Sequence, residues 1–197
     1  MNETWPEIKK RKLKERRGEM FDWVQSLVVA LLICVLVFTF VIREVSVSGT
    51  SMINTLYDGD RILISNLFYS PRQGDVVVLR KESFSTEPIV KRVIALEGQT
   101  VDIDFEAGIV YVDGQALDEP YIYEPTRRRI DFDEPVTVPE GCVFVMGDNR
   151  NGSTDSRDLR IGCVDVRLIM GKALLIAIPG VDMDDSGRDW SRIGVIH

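Results

Sequence analysis

A run of 20 residues without a formal charge constrains this 197-residue chain more than any other feature. It reads WVQSLVVALLICVLVFTFVI, from Trp23 to Ile42. As an α-helix it reaches about 30 Å, the thickness of a bilayer's hydrocarbon core, and its first residue is an interfacial tryptophan. A cleaved signal peptide is the alternative, but its apolar region is only about 7–15 residues and needs an Ala-x-Ala-like site. Only Ser46-x-Ser48 approximates such a site, so we expect a retained anchor.

The charges on either side of this run predict its orientation. Residues 1–22 hold seven Lys and Arg against five acidic residues, whereas the whole chain has a formal net charge of −7. Basic residues beside a membrane helix stay in the cytoplasm. We therefore expect a cytoplasmic leader at 1–22, a single-pass anchor in the cell membrane at 23–42 and an extracytoplasmic remainder. The acidic balance argues against nucleic acid as a partner.

Beyond the anchor the sequence is typical of a mostly β domain of antiparallel sheets. Short segments with alternating or continuous apolar residues are separated by turn residues. These segments are VSVSG, RILIS, DVVVL, TVDID, IVYVDG, CVFVM and ALLIAI. The pair Asp113-Gly114 favours a type I′ hairpin turn. We expect this domain over 43–180, with a small cap region inserted around 98–137 and a C-terminal tail at 181–197.

Two features outside the β pattern leave alternatives open. The polar segment 124–135 is either a loop or part of the cap, and its Arg127–Arg129 cluster faces solvent or, alternatively, anionic lipid headgroups. Cys142 and Cys163 would lie in an oxidising space, where they either pair or remain free thiols.

The scarcity of histidine and of metal-ligand patterns limits the kinds of catalytic site that the chain can form. The single histidine is His197, where a catalytic base would sit on the last residue, so we expect neither a Ser-His-Asp nor a Cys-His site. No Cys and His cluster has zinc spacing. The stretch from Asp148 has Arg150 and Leu159 where a calcium loop needs an oxygen ligand and a glutamate. We expect no metal and no cofactor.

A serine activated by a neutral lysine remains possible. Free lysine has a pKa of about 10.4, so only about one molecule in 2,500 is neutral near pH 7. Lys91 lies within the apolar IVKRVI, where burial would lower that pKa. Ser51 follows Gly49, which permits a sharp turn that exposes a nucleophile. Each feature alone has an ordinary explanation, a solvent-facing lysine or a polar turn.

Four motifs together resemble bacterial type I signal peptidase, a membrane-bound Ser/Lys endopeptidase. In chain order behind the anchor they are SGTSM-x-x-TL, GDVVVL, VKRVIALEG and VPEGCVFVMGDNRNGSTDSR. The resemblance covers roughly residues 20–178 and extends to GIVYVDGQALDEPYI between the motifs. It implies the β-rich catalytic fold shared with LexA-like peptidases. It also implies cleavage of N-terminal signal peptides from secreted preproteins, after Ala-x-Ala-like sites, through an acyl-enzyme.

The resemblance assigns roles to individual residues. Ser51 would be the nucleophile, with its backbone amide donating to the oxyanion, and Lys91 the general base. The Ser153 hydroxyl would hydrogen-bond to the lysine and orient it. Support of the loop would come from Arg92 with Asp148 and from Asp155 with Arg157. Small apolar S1 and S3 pockets would be lined by Val45, Val47, Met52, Leu56, Ile62 and Val90.

The chain departs from the family pattern at three places. Gly49 stands where some relatives carry a second oxyanion hydroxyl, although Ser48 and Thr50 are close in sequence. Asn54 replaces the usual proline after the nucleophile, and ALEGQ at 95–99 replaces the usual GLPGD.

The implied partners are preproteins, the lipid bilayer and, by proximity, the secretion translocon. Two rival functions stay open. A LexA-like Ser/Lys autopeptidase would need a self-cleavage site and usually a DNA-binding segment. A membrane-tethered binding module with an inactive site is hinted at only by Asn54 and ALEGQ.

Overall fold

A long helix, α1, runs from Trp5 to Phe40. The structure is a computed structural model that describes residues 5–181 and 187–196. Within this range it does not describe the side chains of residues 6–18 and 37–40. The α1 window Glu19–Leu36 has a mean hydropathy of 1.8 and is long and apolar enough to cross a membrane. The helix ends two residues before the apolar run does, because the chain must become extended to enter the strand that begins at Arg43.

The remainder of the chain, from Ile42 onward, forms a second compact unit that is mostly β. A large antiparallel sheet holds eight of its strands. In chain order they are β1 (Arg43–Ser46), β2 (Arg61–Ser65), β3 (Val76–Leu79), β4 (Ile89–Leu96), β9 (Cys142–Met146), β10 (Val164–Asp165), β11 (Ile169–Ile178) and β12 (Gly194–Val195). They lie in the order β1-β2-β11-β3-β4-β9-β10, with β12 paired to β11. The edge strand β1 leads directly into the 47–60 loop.

A small antiparallel sheet is built entirely from residues between 100 and 137. Its strands are β5 (Thr100–Asp104), β6 (Ile109–Val112), β7 (Gln115–Ala116) and β8 (Val136–Thr137), in the order β7-β6-β5-β8. The predicted hairpin turn joins β6 to β7, since Asp113 and Gly114 both have positive φ angles, 51° and 76°. This matches the type I′ requirement.

Apolar side chains from both faces of the large sheet form the core. One cluster, around Ile62, Val76, Val78 and Val90, also takes in Met52 and Leu56 of the 47–60 loop. Another, around Ile94, Phe144 and Met146, packs the small sheet against the large one through Val101, Ile103, Val110 and Val112. A third joins Val77, Val93, Val145 and Ile161. Because β4 contributes to all three clusters, it is buried along nearly its whole length.

The C-terminal boundary differs from the predicted one. Instead of a tail that starts at 181, the chain returns to the large sheet as β12, and Ile196 is buried. Arg192 forms an ion pair with Asp60, a fully buried carboxylate that requires a cationic partner. His197 lies outside the described residues.

Candidate active site

Lys91 and Ser51 meet although 40 positions separate them in the chain. The apolar neighbours of Lys91 on β4 leave it only 4% exposed. Its Nζ lies 2.7 Å from Ser51 Oγ and donates to Val90 O at 3.0 Å. The structure therefore brings together the two residues that the sequence marked for a Ser/Lys site.

Burial controls the charge of Lys91. Desolvation lowers the pKa of its amine to about 8, against the opposing influence of the Asp155 and Asp148 carboxylates. Lys91 makes no ion pair with any of the described residues. With a pKa near 8, about one amine in ten is neutral at pH 7. The site can thus supply a neutral base close to physiological pH.

The backbone around Ser51 is held from one side. Ser51 O accepts a hydrogen bond from Asn149 N at 3.0 Å, and no described residue accepts from the Ser51 amide. Gly49 has a φ angle of 86°, in the region that favours glycine, and its N–H donates to Asp58 Oδ1 at 2.7 Å. Ser48 and Thr50 are exposed. The Ser51 N–H therefore remains available to a ligand.

Arg92 pairs with Asp148 of the loop that joins β9 to β10, the 147–163 loop. Two guanidinium nitrogens donate to the two carboxylate oxygens at 2.9 and 2.7 Å, and both side chains are at most 1% exposed. Thr55 Oγ1 also donates to Asp148, which ties the 147–163 loop to the 47–60 loop. The 47–60 loop, which carries Ser51, and the 147–163 loop are thereby fixed relative to each other.

Asp155 and Arg157 form a second buried pair inside the 147–163 loop. Two guanidinium nitrogens of Arg157 donate to the two Asp155 carboxylate oxygens, both at 2.8 Å. Gly147 N also donates to Asp155, at 3.0 Å. Burial by itself would raise the pKa of Asp155, but the hydrogen bonds and charge of Arg157 outweigh it and hold that pKa below its ordinary value. Asp155 is therefore a fixed negative charge near Lys91.

Ser153 differs from its predicted role. It is completely buried, yet its hydroxyl forms no hydrogen bond with any described residue. The expected hydrogen bond to Lys91 is not formed in this structure, in which the lysine amine contacts Ser51 Oγ and Val90 O. The hydroxyl lies beside the backbone of Gly147, where an added Cβ would come within 2.3 Å of Ser153 Oγ.

Residues 119–128, here called the strap, contact residues beside Lys91 and Ser51, and the sequence did not predict these contacts. Arg150 is fully buried and donates to both carboxylate oxygens of Glu119 and to Thr126 Oγ1. Tyr121 stacks on Arg92, with the guanidinium carbon 3.9 Å from the ring centroid.

The strap is also tied to the loops through its backbone. Tyr123 N donates to Asp148 O at 3.0 Å, and Asn54 Nδ2 donates to Ile122 O at 3.2 Å. The density of polar residues in the 147–163 loop is the sequence signal that indicates such contacts. It does not identify their partners, which lie about 30 residues away in the chain.

The six residues predicted to line substrate pockets share one location. All pack within the apolar cluster that includes the 47–60 loop, with Val45 at its partly buried margin. Leu56 and Ile62 have no exposed surface, and Val47, Met52 and Val90 have at most 7%. They form a closed apolar floor beside Ser51 in this conformation.

The remaining groups considered in the sequence are possible metal ligands, the two cysteines beyond the anchor and the arginine cluster. The described residues contain no group of His, Cys, Asp and Glu arranged to bind a metal ion. Cys142 and Cys163 are free, partly buried thiols. Arg127–Arg129 are exposed.

A family model described as signal peptidase, peptidase S26, matches residues 20–178. Curated relatives match over most of their length. A probable signal peptidase I-1 from Synechocystis sp. is 40% identical over 87% of this chain and 85% of its own. A signal peptidase I from Bacillus licheniformis is 32% identical over 85% of this chain and 94% of its own. One from Bacillus caldolyticus is 36% identical over 82% and 91%.

A crystal structure of a signal peptidase I from Enterococcus faecalis V583 superimposes on 53% of this chain and 97% of its own, with 28% identity and a TM-score of 0.43.

Proposed function

Since the chain belongs to the signal peptidase family, peptidase S26, whose members are serine proteases that cleave signal peptides, we propose that Ser51 is its nucleophile and Lys91 its general base. The activity is that of signal peptidase I, and its substrates are signal-peptide-bearing preproteins. The observation that carries the assignment of the two residues is the 2.7 Å approach of a buried Lys91 Nζ to Ser51 Oγ.

The reaction proceeds in two halves. Neutral Lys91 accepts the Ser51 proton as Ser51 Oγ attacks the scissile carbonyl, and the oxyanion accepts a hydrogen bond from the Ser51 amide. The ammonium then protonates the leaving amine, which releases the mature protein and leaves the signal peptide as an ester on Ser51. Lys91 next takes a proton from water as the water oxygen attacks the ester carbonyl. Collapse of this intermediate transfers the proton from Lys91 to the leaving Ser51 Oγ, which frees the signal peptide and restores both residues.

The surrounding residues position this dyad. The ion pairs of Arg92 with Asp148 and of Asp155 with Arg157 hold the 147–163 loop beside Lys91. A neutral lysine has two N–H donors. One is directed to Val90 O, and we assign the other to the buried Ser153 hydroxyl in the reactive geometry, where it would orient the lone pair toward Ser51.

The substrate binds as an extended strand. The edge strand β1, paired within the described sheet only with β2, leads into the loop that carries Ser51. A signal-peptide end added along this edge would direct its −1 and −3 side chains to the apolar floor of Val45, Val47, Met52, Leu56, Ile62 and Val90. Because this floor has little open space, small residues such as Ala would fit there, whereas bulky ones would clash.

The helix α1 anchors the enzyme in the cell membrane as a single span. The basic residues at positions 9–17, on the N-terminal side of its apolar run, direct its N-terminus to the cytoplasm and the β-rich unit to the outside. The small sheet and the strap, within 98–137, form a cap on the catalytic unit. Anchoring keeps the site near the bilayer, where the translocon delivers the apolar segment of a preprotein.

The test uses the purified full chain in detergent with a preprotein that carries an Ala-x-Ala site. We expect cleavage after the second Ala, read from the N-terminal sequence of the product. Ser51→Ala and Lys91→Ala should abolish cleavage, whereas the control Ser70→Ala, at an exposed serine outside the site, should retain it. Full activity of Ser51→Ala would overturn the assignment of the nucleophile. Absence of cleavage in every protein, wild type included, would favour a binding module.

A further inference from the structure

The carboxamide of Asn149 contacts the residue before the proposed nucleophile. Its Nδ2 donates to Thr50 O at 3.1 Å, while its backbone N–H donates to Ser51 O at 3.0 Å. Asn149 therefore contacts the peptide groups on both sides of the Ser51 Cα, and Ile53 N adds a longer hydrogen bond of 3.4 Å to the Thr50 carbonyl. None of the roles assigned above to the 147–163 loop uses Asn149.

The first of these bonds sets the direction of the Ser51 amide. The peptide bond between Thr50 and Ser51 is trans, and in a trans peptide the C=O and N–H groups point in opposite directions. Because Asn149 holds the Thr50 carbonyl on the side of the 147–163 loop, the Ser51 N–H is directed away from that loop. No described residue accepts from it. A donor with fixed direction and no internal acceptor is the requirement for stabilising an oxyanion.

Asn149 is itself held firmly. Gly152 N donates to both Asn149 Oδ1, at 3.2 Å, and Asn149 O, at 3.1 Å. Since Oδ1 is occupied as an acceptor, Nδ2 is the atom left to donate to Thr50. Close approach of the two loops depends on Gly147, where a Cβ would lie 2.5 Å from Ser51 O. The loop backbone and the Asn149 side chain together define the position of Ser51.

We propose that Asn149 is a positioning residue for the oxyanion site, which orients the Ser51 amide by hydrogen bonding to the Thr50 carbonyl. The proposal rests on the proposed function, in which that amide stabilises the tetrahedral intermediate. Loss of the bond would leave Ser51 and Lys91 in place but let the Thr50–Ser51 peptide rotate.

Asn151, two residues further along, provides a matched control. Its Nδ2 donates to a backbone carbonyl, Pro125 O, at the same distance of 3.1 Å, and its Oδ1 accepts from the backbone N–H groups of Arg127 and Arg128. The same chemistry is therefore present in the same loop but is directed to the strap instead of the 47–60 loop. A general loss of loop stability would affect both asparagines.

The experiment compares Asn149→Ala, Asn149→Asp and Asn151→Ala in the full chain in detergent. Asn149→Asp keeps an acceptor for Gly152 N and removes the donor to Thr50. We expect both Asn149 variants to lower kcat by about 10- to 100-fold. This decrease is no larger than the one that removal of a complete oxyanion donor causes. KM should stay within about twofold of wild type in both Asn149 variants. The pH midpoint is compared only for Asn149→Ala, which adds no charge, and should stay within a few tenths of a unit of wild type. Asn151→Ala should retain kcat within about twofold.

A peptide aldehyde separates orientation of the amide from structural damage. It forms a hemiacetal with Ser51 that presents an oxyanion, whereas the matched peptide alcohol, which carries CH2OH in place of the aldehyde, cannot form one. We expect Asn149→Ala to lose aldehyde affinity in parallel with kcat/KM and to keep its affinity for the peptide alcohol.

Three outcomes would overturn the proposal. The first is unchanged kcat in folded Asn149 variants. The second is an equal loss of affinity for the aldehyde and the peptide alcohol. The third is failure of both Asn149 variants to fold while Asn151→Ala folds, which would make the role purely structural. Ser51→Ala and Lys91→Ala run in parallel: activity in those variants would contradict the proposed function, not the role of Asn149 alone.

Discussion

Lys91 and Arg92 are consecutive residues on β4, both almost fully buried, yet only Arg92 has a carboxylate partner among the described residues. Burying a charge without a partner is costly, so the two cations respond differently. Arg92 keeps its charge and anchors Asp148. Lys91 is pushed toward its neutral form, which is the form that can accept a proton from Ser51.

The rate of cleavage should depend on pH with the sign of a neutral base. Because burial lowers the pKa of Lys91 to about 8, kcat should fall about tenfold per pH unit below 8 and level off above about 9. The measurement is kcat between pH 6 and pH 10 on a preprotein substrate. A flat profile across this range would exclude Lys91 as the base.

Lys91→Met should stabilise the folded protein while abolishing cleavage. The folded-state pKa of Lys91, about 8, is below the ordinary 10.5, so the unfolded chain binds more protons between these values and wild-type stability rises with pH across that window. Below pH 8 the full penalty is present, up to about 3 kcal/mol. Denaturant titrations of both proteins at pH 7 and pH 10.5 should show the advantage of Lys91→Met at pH 7 and its near disappearance at pH 10.5. An equal difference at both pH values would contradict the lowered pKa.

Asp148→Ala should destabilise the fold by about 3–5 kcal/mol, because it leaves the buried Arg92 guanidinium without its carboxylate. The control is Arg167→Ala, which breaks an Asp–Arg pair of similar geometry, with Asp165, and removes an arginine side chain that is 86% exposed. The Tm of the control should be unchanged, since solvent already screens that pair. Equal shifts in Tm for the two variants would contradict a structural role for the buried pair.

Two serines of the 147–163 loop should respond in opposite ways. The Ser153 hydroxyl has no partner among the described residues, so Ser153→Ala should leave stability unchanged or raise it by about 1 kcal/mol. It should nevertheless lower kcat by about tenfold or more if the hydroxyl orients Lys91 during the reaction. Ser156 Oγ accepts from the buried Val145 N, so Ser156→Ala should cost about 1–3 kcal/mol. Unchanged kcat in Ser153→Ala would remove its assigned role.

The sequence predicted those parts of the molecule that depend on local pattern. The uncharged run predicted the long N-terminal helix, and alternation with turn residues predicted most strands of the large sheet. Asp113-Gly114 predicted its hairpin because both residues tolerate positive φ. The apolar neighbours of Lys91 favoured its burial, while only the resemblance of the motifs connected it with Ser51.

Contacts between segments that are distant in the chain could not be predicted from local sequence patterns. Any of the 31 acidic residues could in principle have paired with Arg150, and nothing local selects Glu119. Tyr121 over Arg92, and Asn149 on Thr50, likewise depend on how three loops converge. The return of the chain as β12 was missed because two residues carry almost no periodic signal.

The strap lies within the segment that connects β7 to β8, and it contacts Arg92, Asp148 and Arg150. We expect a molecule that displaced Glu119 and Tyr121 from the two buried arginines to inactivate the enzyme, and such a molecule need not resemble a signal peptide. Inhibitor discovery against this chain therefore has a second target, distinct from the edge strand β1 along which we propose that substrates bind.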